Sequence, residues 1–109
     1  MSAITTHVLD TVLGKPGAGI RVGLEQQIGE NWVRVGEGVT DADGRSRDLG
    51  TNPGRGTYRL TFGTGEYFNR QARSTIYPQV IVEFQVKDDA HYHLPLLLSD
   101  NCYTTYRGS

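Results

Sequence analysis

His7, His91 and His93 are the side chains of this 109-residue chain suited to exchanging a proton near neutral pH. An unperturbed imidazole titrates at about pH 6.5, so two of them can act as general base and general acid. A neighbouring guanidinium can hold an anion or a developing oxyanion. Together these groups can run a hydrolysis. Spacing alone does not bring His7, His93 and an arginine together, and His91-x-His93 with His7 as a third ligand also suits zinc. No Asp, Glu or Cys completes a recognised ligand spacing, so neither a metal nor a cofactor is predicted. Cys102 has no cysteine partner and reads as an inert thiol, and Ser109 lacks the Gly-x-Ser-x-Gly elbow of a triad serine.

The elements that must position these residues are short strands. In 4–10, Thr5, His7 and Leu9 share one face, opposite Ile4, Thr6 and Val8. In 91–98, Tyr92, Leu94, Leu96 and Leu98 form the predicted core face, which turns His93 outward with His91, Pro95 and Leu97. Strict alternation also marks 20–25, with Ile20, Val22 and Leu24 inward, then 57–62, with Tyr58, Leu60 and Phe62 inward, and 80–86. A strand over 32–39 follows a turn at 28–31, but its apolar face is not readable from the pattern. Thr64 to Arg73 is the one helical segment, with Thr64 as N-cap, Glu66 early and Arg70 and Arg73 late, and it is expected to sit outside the sheets. Strand-forming residues continue to within two positions of Ser109, which predicts that the terminal segment is built into a site.

Turns separate these strands. Gly14 to Gly19 lacks the Gly-Lys-Ser/Thr ending of a phosphate loop. The segment from Thr40 to Ser46 resembles half a calcium loop but lacks its remaining acidic ligands and its helices, so it reads as an Asp-Gly turn. A further break runs from Thr51 to Gly56. Seven or eight short strands with one small helix predict a single all-β domain over 1–109, a β-sandwich. The 14 glycines and a charged fraction of 21% agree with this, and a net charge of −1 gives no basic face for nucleic acid or an anionic membrane. The longest apolar run, Leu94 to Leu98, is strand-sized, and the residues after Met1 have no secretory pattern, so a cytoplasmic protein is expected.

The segments Thr6-His7-Val8-Leu9-Asp10-Thr11, Gly14-Lys15-Pro16, Thr40 to Arg45, Tyr77-Pro78, His91 to Ser99 and the terminal Tyr103 to Ser109 resemble the transthyretin-like family over nearly the whole chain. The terminal Tyr106-Arg107-Gly108-Ser109 resembles its 5-hydroxyisourate hydrolase branch. That resemblance implies a sandwich of two four-stranded sheets, and a homotetramer with its sites where two dimers meet. It implies hydrolysis of 5-hydroxyisourate in urate breakdown, with His7, Arg45, His93 and Ser109 as catalytic residues and Arg45, Tyr106, Arg107 and Gly108 as substrate-binding residues. His91 has a weaker claim. Asp100-Asn101-Cys102 departs from the family pattern in the turn before Tyr103. A non-enzymatic small-ligand carrier using the same channel, and a plain interaction domain, are the alternatives, since fold does not dictate function.

Overall fold

The computed structural model describes residues 3–47, 49, 50 and 53–109, so part of the break expected at 51–56 lies outside the described residues. In chain order the elements are β1 (Ile4–Asp10), β2 (Lys15–Pro16), β3 (Arg21–Ile28), β4 (Asn31–Val39), β5 (Arg45–Ser46), β6 (Gly56–Phe62), α1 (Thr64–Asn69), β7 (Val80–Val86), β8 (Tyr92–Ser99) and β9 (Cys102–Thr105). One sheet has the order β2-β1-β8-β9, with the two-residue β5 also pairing with β1; the other is β4-β3-β6-β7. The expected all-β sandwich of two four-stranded layers with one short helix is what forms, with β5 as an addition. No helix among the described residues is long and apolar enough to cross a membrane.

The inner faces follow the alternation. Ile4 and Val8 of β1 and Tyr92, Leu94, Leu96 and Leu98 of β8 meet Val22 and Leu24 of β3, Tyr58, Leu60 and Phe62 of β6, and Val80 and Val86 of β7. Burying one such side chain fully is worth about 1.5–3 kcal/mol, so the period-two pattern holds each strand in register: a one-residue slip would turn its whole apolar set outward. For β1 and β8 this has a functional result, because holding the core residues inward holds the histidines outward. The unreadable face of β4 has a local cause. Leu24 pairs with Gly36 but Glu25 pairs with Arg34, so Val35 is an extra residue in a bulge and the parity changes there. Val33, Val35 and Val39 are all exposed.

The helix departs from expectation in three respects. Its N-cap is Gly63, while Thr64 is its fully buried first residue. The element packs on the core through Tyr67 and Phe68 and does not sit outside the sheets. It also stops early. The Arg73 amide donates to the Phe68 carbonyl and the Ala72 amide to the Asn69 carbonyl, with Ala72 at a φ of 54°, a Schellman ending that uses alanine where glycine is usual. Arg73 therefore lies beyond the helix, and its guanidinium reaches the carboxylates of Asp10 and Asp100.

Candidate active site

The outward residues of β1 and β8 form two adjacent rungs of one sheet. The strands run parallel with Thr5 opposite His93 and His7 opposite Pro95, and on the other side of β1 the antiparallel β5 sets Arg45 opposite His7. Beyond β9 the chain returns to β8 in the same register, where a bridge pairs Gly108 with His93. One rung thus reads Gly108, His93, Thr5, and the next Pro95, His7, Arg45. His7, Arg45, His93 and Gly108, four of the residues singled out from the sequence, are neighbours on a single face, and all four are half-buried.

The loop that delivers Arg45 is built from its own backbone. The Asp41 carboxylate accepts the amides of Asp43 (2.9 Å) and Arg45 (3.0 Å), and the Arg45 amide in particular holds the Asp41 carboxyl below its ordinary range. The Gly44 carbonyl accepts the Val8 amide at 2.7 Å, which ties the loop to β1. Gly44 has a φ of 76°, and a Cβ there would stand 2.3 Å from the Val8 carbonyl oxygen. Gly44→Ala is expected to lower stability by about 1–3 kcal/mol, read by thermal unfolding, because it combines a left-handed backbone with a clash against backbone.

His93 is set more closely than its sequence position suggests. The Gly108 amide donates to its carbonyl at 2.8 Å, and a Cβ on Gly108 would lie 2.7 Å from the ring carbon Cδ2, so the terminal segment lies directly against the imidazole. Nδ1 is 2.8 Å from Thr5 Oγ1. Burial pushes the His93 pKa below the ordinary imidazole value, and the positive charge of Arg45, then His91 and His7, pushes the same way. Both effects favour the neutral ring, with Nδ1 engaged and Nε2 left for other partners.

Thr5 and His91 complete the arrangement. His91 is exposed and precedes β8, yet its Nε2 lies 2.7 Å from the same Thr5 hydroxyl. Among the described residues no three His, Cys, Asp or Glu gather as metal ligands. The remaining terminal residues stand apart from the two rungs. Tyr106 is exposed beyond the end of β9. Arg107 places its guanidinium carbon 4.2 Å from the centroid of the Tyr92 ring and its Nη2 3.5 Å from the His91 carbonyl oxygen. Ser109 is exposed next to Gly108. Sequence reasoning missed Thr5: its parity with His7 was readable, but the hydrogen bonds depend on a parallel pairing between residues 88 positions apart.

A neutral imidazole beside a second imidazole and a guanidinium, on a half-buried face, can deprotonate water and stabilise an oxyanion. Comparison with known proteins gives this geometry its setting. The 5-hydroxyisourate hydrolase of Salmonella typhimurium is 43% identical over 97% of this chain and 80% of its own length. The structure of Klebsiella pneumoniae 5-hydroxyisourate hydrolase superposes with a TM-score of 0.89 at 35% identity, covering all of both chains. Sea bream transthyretin in complex with thyroxine superposes at 0.93 with 31% identity, covering 97% of this chain and 94% of its own. The model of the HIUase/Transthyretin family matches residues 4–108, and the chain belongs to that family.

Proposed function

We propose that the protein hydrolyses 5-hydroxyisourate to 2-oxo-4-hydroxy-4-carboxy-5-ureidoimidazoline in urate degradation. The observation that carries this reading is the convergence of His7, Arg45, His93 and Gly108 on one sheet face in a chain so similar, over its whole length, to hydrolases of that name. His93 is the base: burial and the nearby Arg45 favour its neutral form, and Nε2 takes a proton from the attacking water. His7 orients that water from the neighbouring rung. Arg45, opposite His7, offers its planar fork of donors to the carbonyl oxygens of the ring and to the tetrahedral oxyanion. Gly108, against the His93 ring, borders the substrate; Tyr106, Arg107 and Ser109 stand apart from the two rungs in a single chain and are assigned to the substrate by the family resemblance alone, with the Ser109 hydroxyl ordering the water.

The site face is open on a single chain, and the proposed assembly is a homotetramer in which a second copy covers it. The setting is the cytoplasm, in keeping with a single free thiol at Cys102. The test is the ultraviolet decay of freshly generated 5-hydroxyisourate, which is expected to accelerate when the protein is added; an unchanged decay rate overturns the reading. The likeness to a thyroxine-bound transthyretin favours a second reading, a small-ligand carrier. Saturable thyroxine binding together with an unchanged 5-hydroxyisourate decay would put the carrier first.

A further inference from the structure

Thr5 Oγ1 stands between two imidazole nitrogens, 2.7 Å from His91 Nε2 and 2.8 Å from His93 Nδ1, and the two rings are 6.1 Å apart at their centroids. A hydroxyl has one hydrogen to donate and two lone pairs to accept with. At most one of the two rings can accept from Thr5, so at least one must carry hydrogen on the nitrogen that faces it. A water-activating His93 keeps the lone pair on Nε2, which puts its ring hydrogen on Nδ1, donating to Thr5. The hydroxyl is then free to donate to His91 Nε2, and the His91 hydrogen lies on Nδ1.

We propose that Thr5 is a positioning residue that fixes the tautomer of His93 and links it to His91 as a proton relay leading from the site to solvent. The proposal rests on the reading of His93 as the base. In the relay, an O–H bond of the attacking water breaks as its oxygen bonds to the ring carbonyl carbon, and the proton joins His93 Nε2. The His93 Nδ1–H bond breaks and an O–H bond forms at Thr5. The original Thr5 O–H bond breaks and an N–H bond forms at His91 Nε2. The hydroxyl is remade, His91 holds the positive charge, and His93 is again neutral with its hydrogen on Nε2. As that Nε2–H bond breaks and the hydrogen bonds to the leaving ring nitrogen, the relay runs back: the His91 Nε2 proton returns to Thr5 and the Thr5 hydrogen to His93 Nδ1, so both rings end neutral with His93 Nε2 again free.

The charges around the pair favour this direction. His7 of β1 and Arg45 of β5 face His93 from the adjoining rung, and the positive charge of Arg45 opposes a charge on the half-buried His93 ring. His91 is exposed, so water can solvate the charge it receives. Its carbonyl is approached by Arg107 Nη2 at 3.5 Å, which brings a further cation to this end of the relay.

The test compares Thr5→Val, which keeps the shape and removes the hydroxyl, with Thr5→Ser, which keeps the hydroxyl. Nitrogen-15 chemical shifts of labelled histidines report the tautomers without substrate. The wild type is expected to carry hydrogen on Nδ1 of both His93 and His91, Thr5→Ser to retain that pattern, and Thr5→Val to show mixed tautomers at both rings. In 5-hydroxyisourate turnover, Thr5→Val is expected to lower kcat by roughly one to two orders of magnitude with KM little changed, and to move the acid limb of the pH profile. That loss falls short of the roughly 10²–10⁴-fold worth of a whole general base. Thr5→Ser is expected to restore both. Wild-type tautomers, kcat and pH profile in Thr5→Val overturn the relay, as does hydrogen on Nε2 of neutral wild-type His93. A wild type with the bridged tautomers but no turnover overturns the hydrolase reading, and the relay with it.

Discussion

His93→Ala is expected to lower kcat for 5-hydroxyisourate hydrolysis by about 10²–10⁴-fold, the usual worth of a positioned general base, while the fold persists. The ring is half-buried on the outer face of β8 and contributes nothing to the leucine face that forms the core, so its removal leaves the sandwich intact. The pH dependence distinguishes this from a packing effect. Because burial and Arg45 lower the His93 pKa, the base form persists to a pH below the ordinary imidazole value, and wild-type kcat/KM should fall only on the acid side of about pH 6.5. Residual activity in His93→Ala should lack that limb. The linked stability effect has a definite sign. An imidazole whose folded pKa is depressed binds protons more readily when unfolded, so its site destabilises the fold as pH falls through the ordinary value towards the folded one. His93→Ala removes that penalty. Wild-type turnover by the variant at neutral pH would remove His93 from the mechanism.

Asp10→Asn is expected to cost about 1.5–3 kcal/mol of stability, the usual worth of hydrogen bonds to a charged group, because Arg73 keeps Asp100 as a partner. Asp10 is fully buried at the end of β1. Its carboxylate accepts Arg73 Nη1 at 2.7 Å and Nη2 at 3.3 Å, the Tyr67 hydroxyl at 2.7 Å, and the amides of Val12 and Leu13, each at 3.1 Å. Arg73, itself largely buried, also reaches Asp100 at 2.5 Å, so one guanidinium ties the end of β1 to the turn between β8 and β9. At 4–8 °C per kcal/mol for a domain of this size, Tm should drop by at least about 6 °C at equal protein concentration.

The same carboxylate sets an acid limit. Burial pushes the Asp10 pKa up, but the hydrogen bonds from Arg73, Tyr67 and the Leu13 amide together outweigh it and leave the group below its ordinary range. A depressed carboxyl stabilises above its unfolded value, about pH 3.9, and that stabilisation disappears as pH falls through the lower folded value. The Tm gap between wild type and Asp10→Asn should therefore be widest at neutral pH and shrink below about pH 4. A constant gap would mean that shape at this position, and not charge, carries the effect.

Strand parity made much of this legible beforehand. The alternation in 4–10 and 91–98 predicted that His7 and His93 face outward, and the Asp-Gly turn before Arg45 is where it was expected, because a period-two pattern is a direct consequence of burying one face. Features that depend on pairing were not legible. Nothing local announces that β5 lies against His7 or that Thr5 meets two histidines, since both follow from registers between distant segments. The bulge at Val35 erased the pattern in β4. Asp10 carries no local sign of a distant partner, and Arg73 reads as the cation at a helix end; only the early stop at Ala72 turns Arg73 toward Asp10.

The parallel pairing of β1 with β8 also sets when the site can exist. Thr5 and His93 are 88 positions apart, and β2 to β7 lie between the strands that carry them. Closing a loop of that size costs chain entropy before any contact across it is repaid, which makes such pairings slow steps in folding. Each hairpin of β3, β4, β6 and β7 can form from nearby residues, but β1 must wait for β8 before Thr5 meets either histidine. During synthesis or refolding the face that carries His7 and His93 is thus expected to assemble last, and a chain that has completed only its second sheet lacks both that face and the half of the core that β1 and β8 supply.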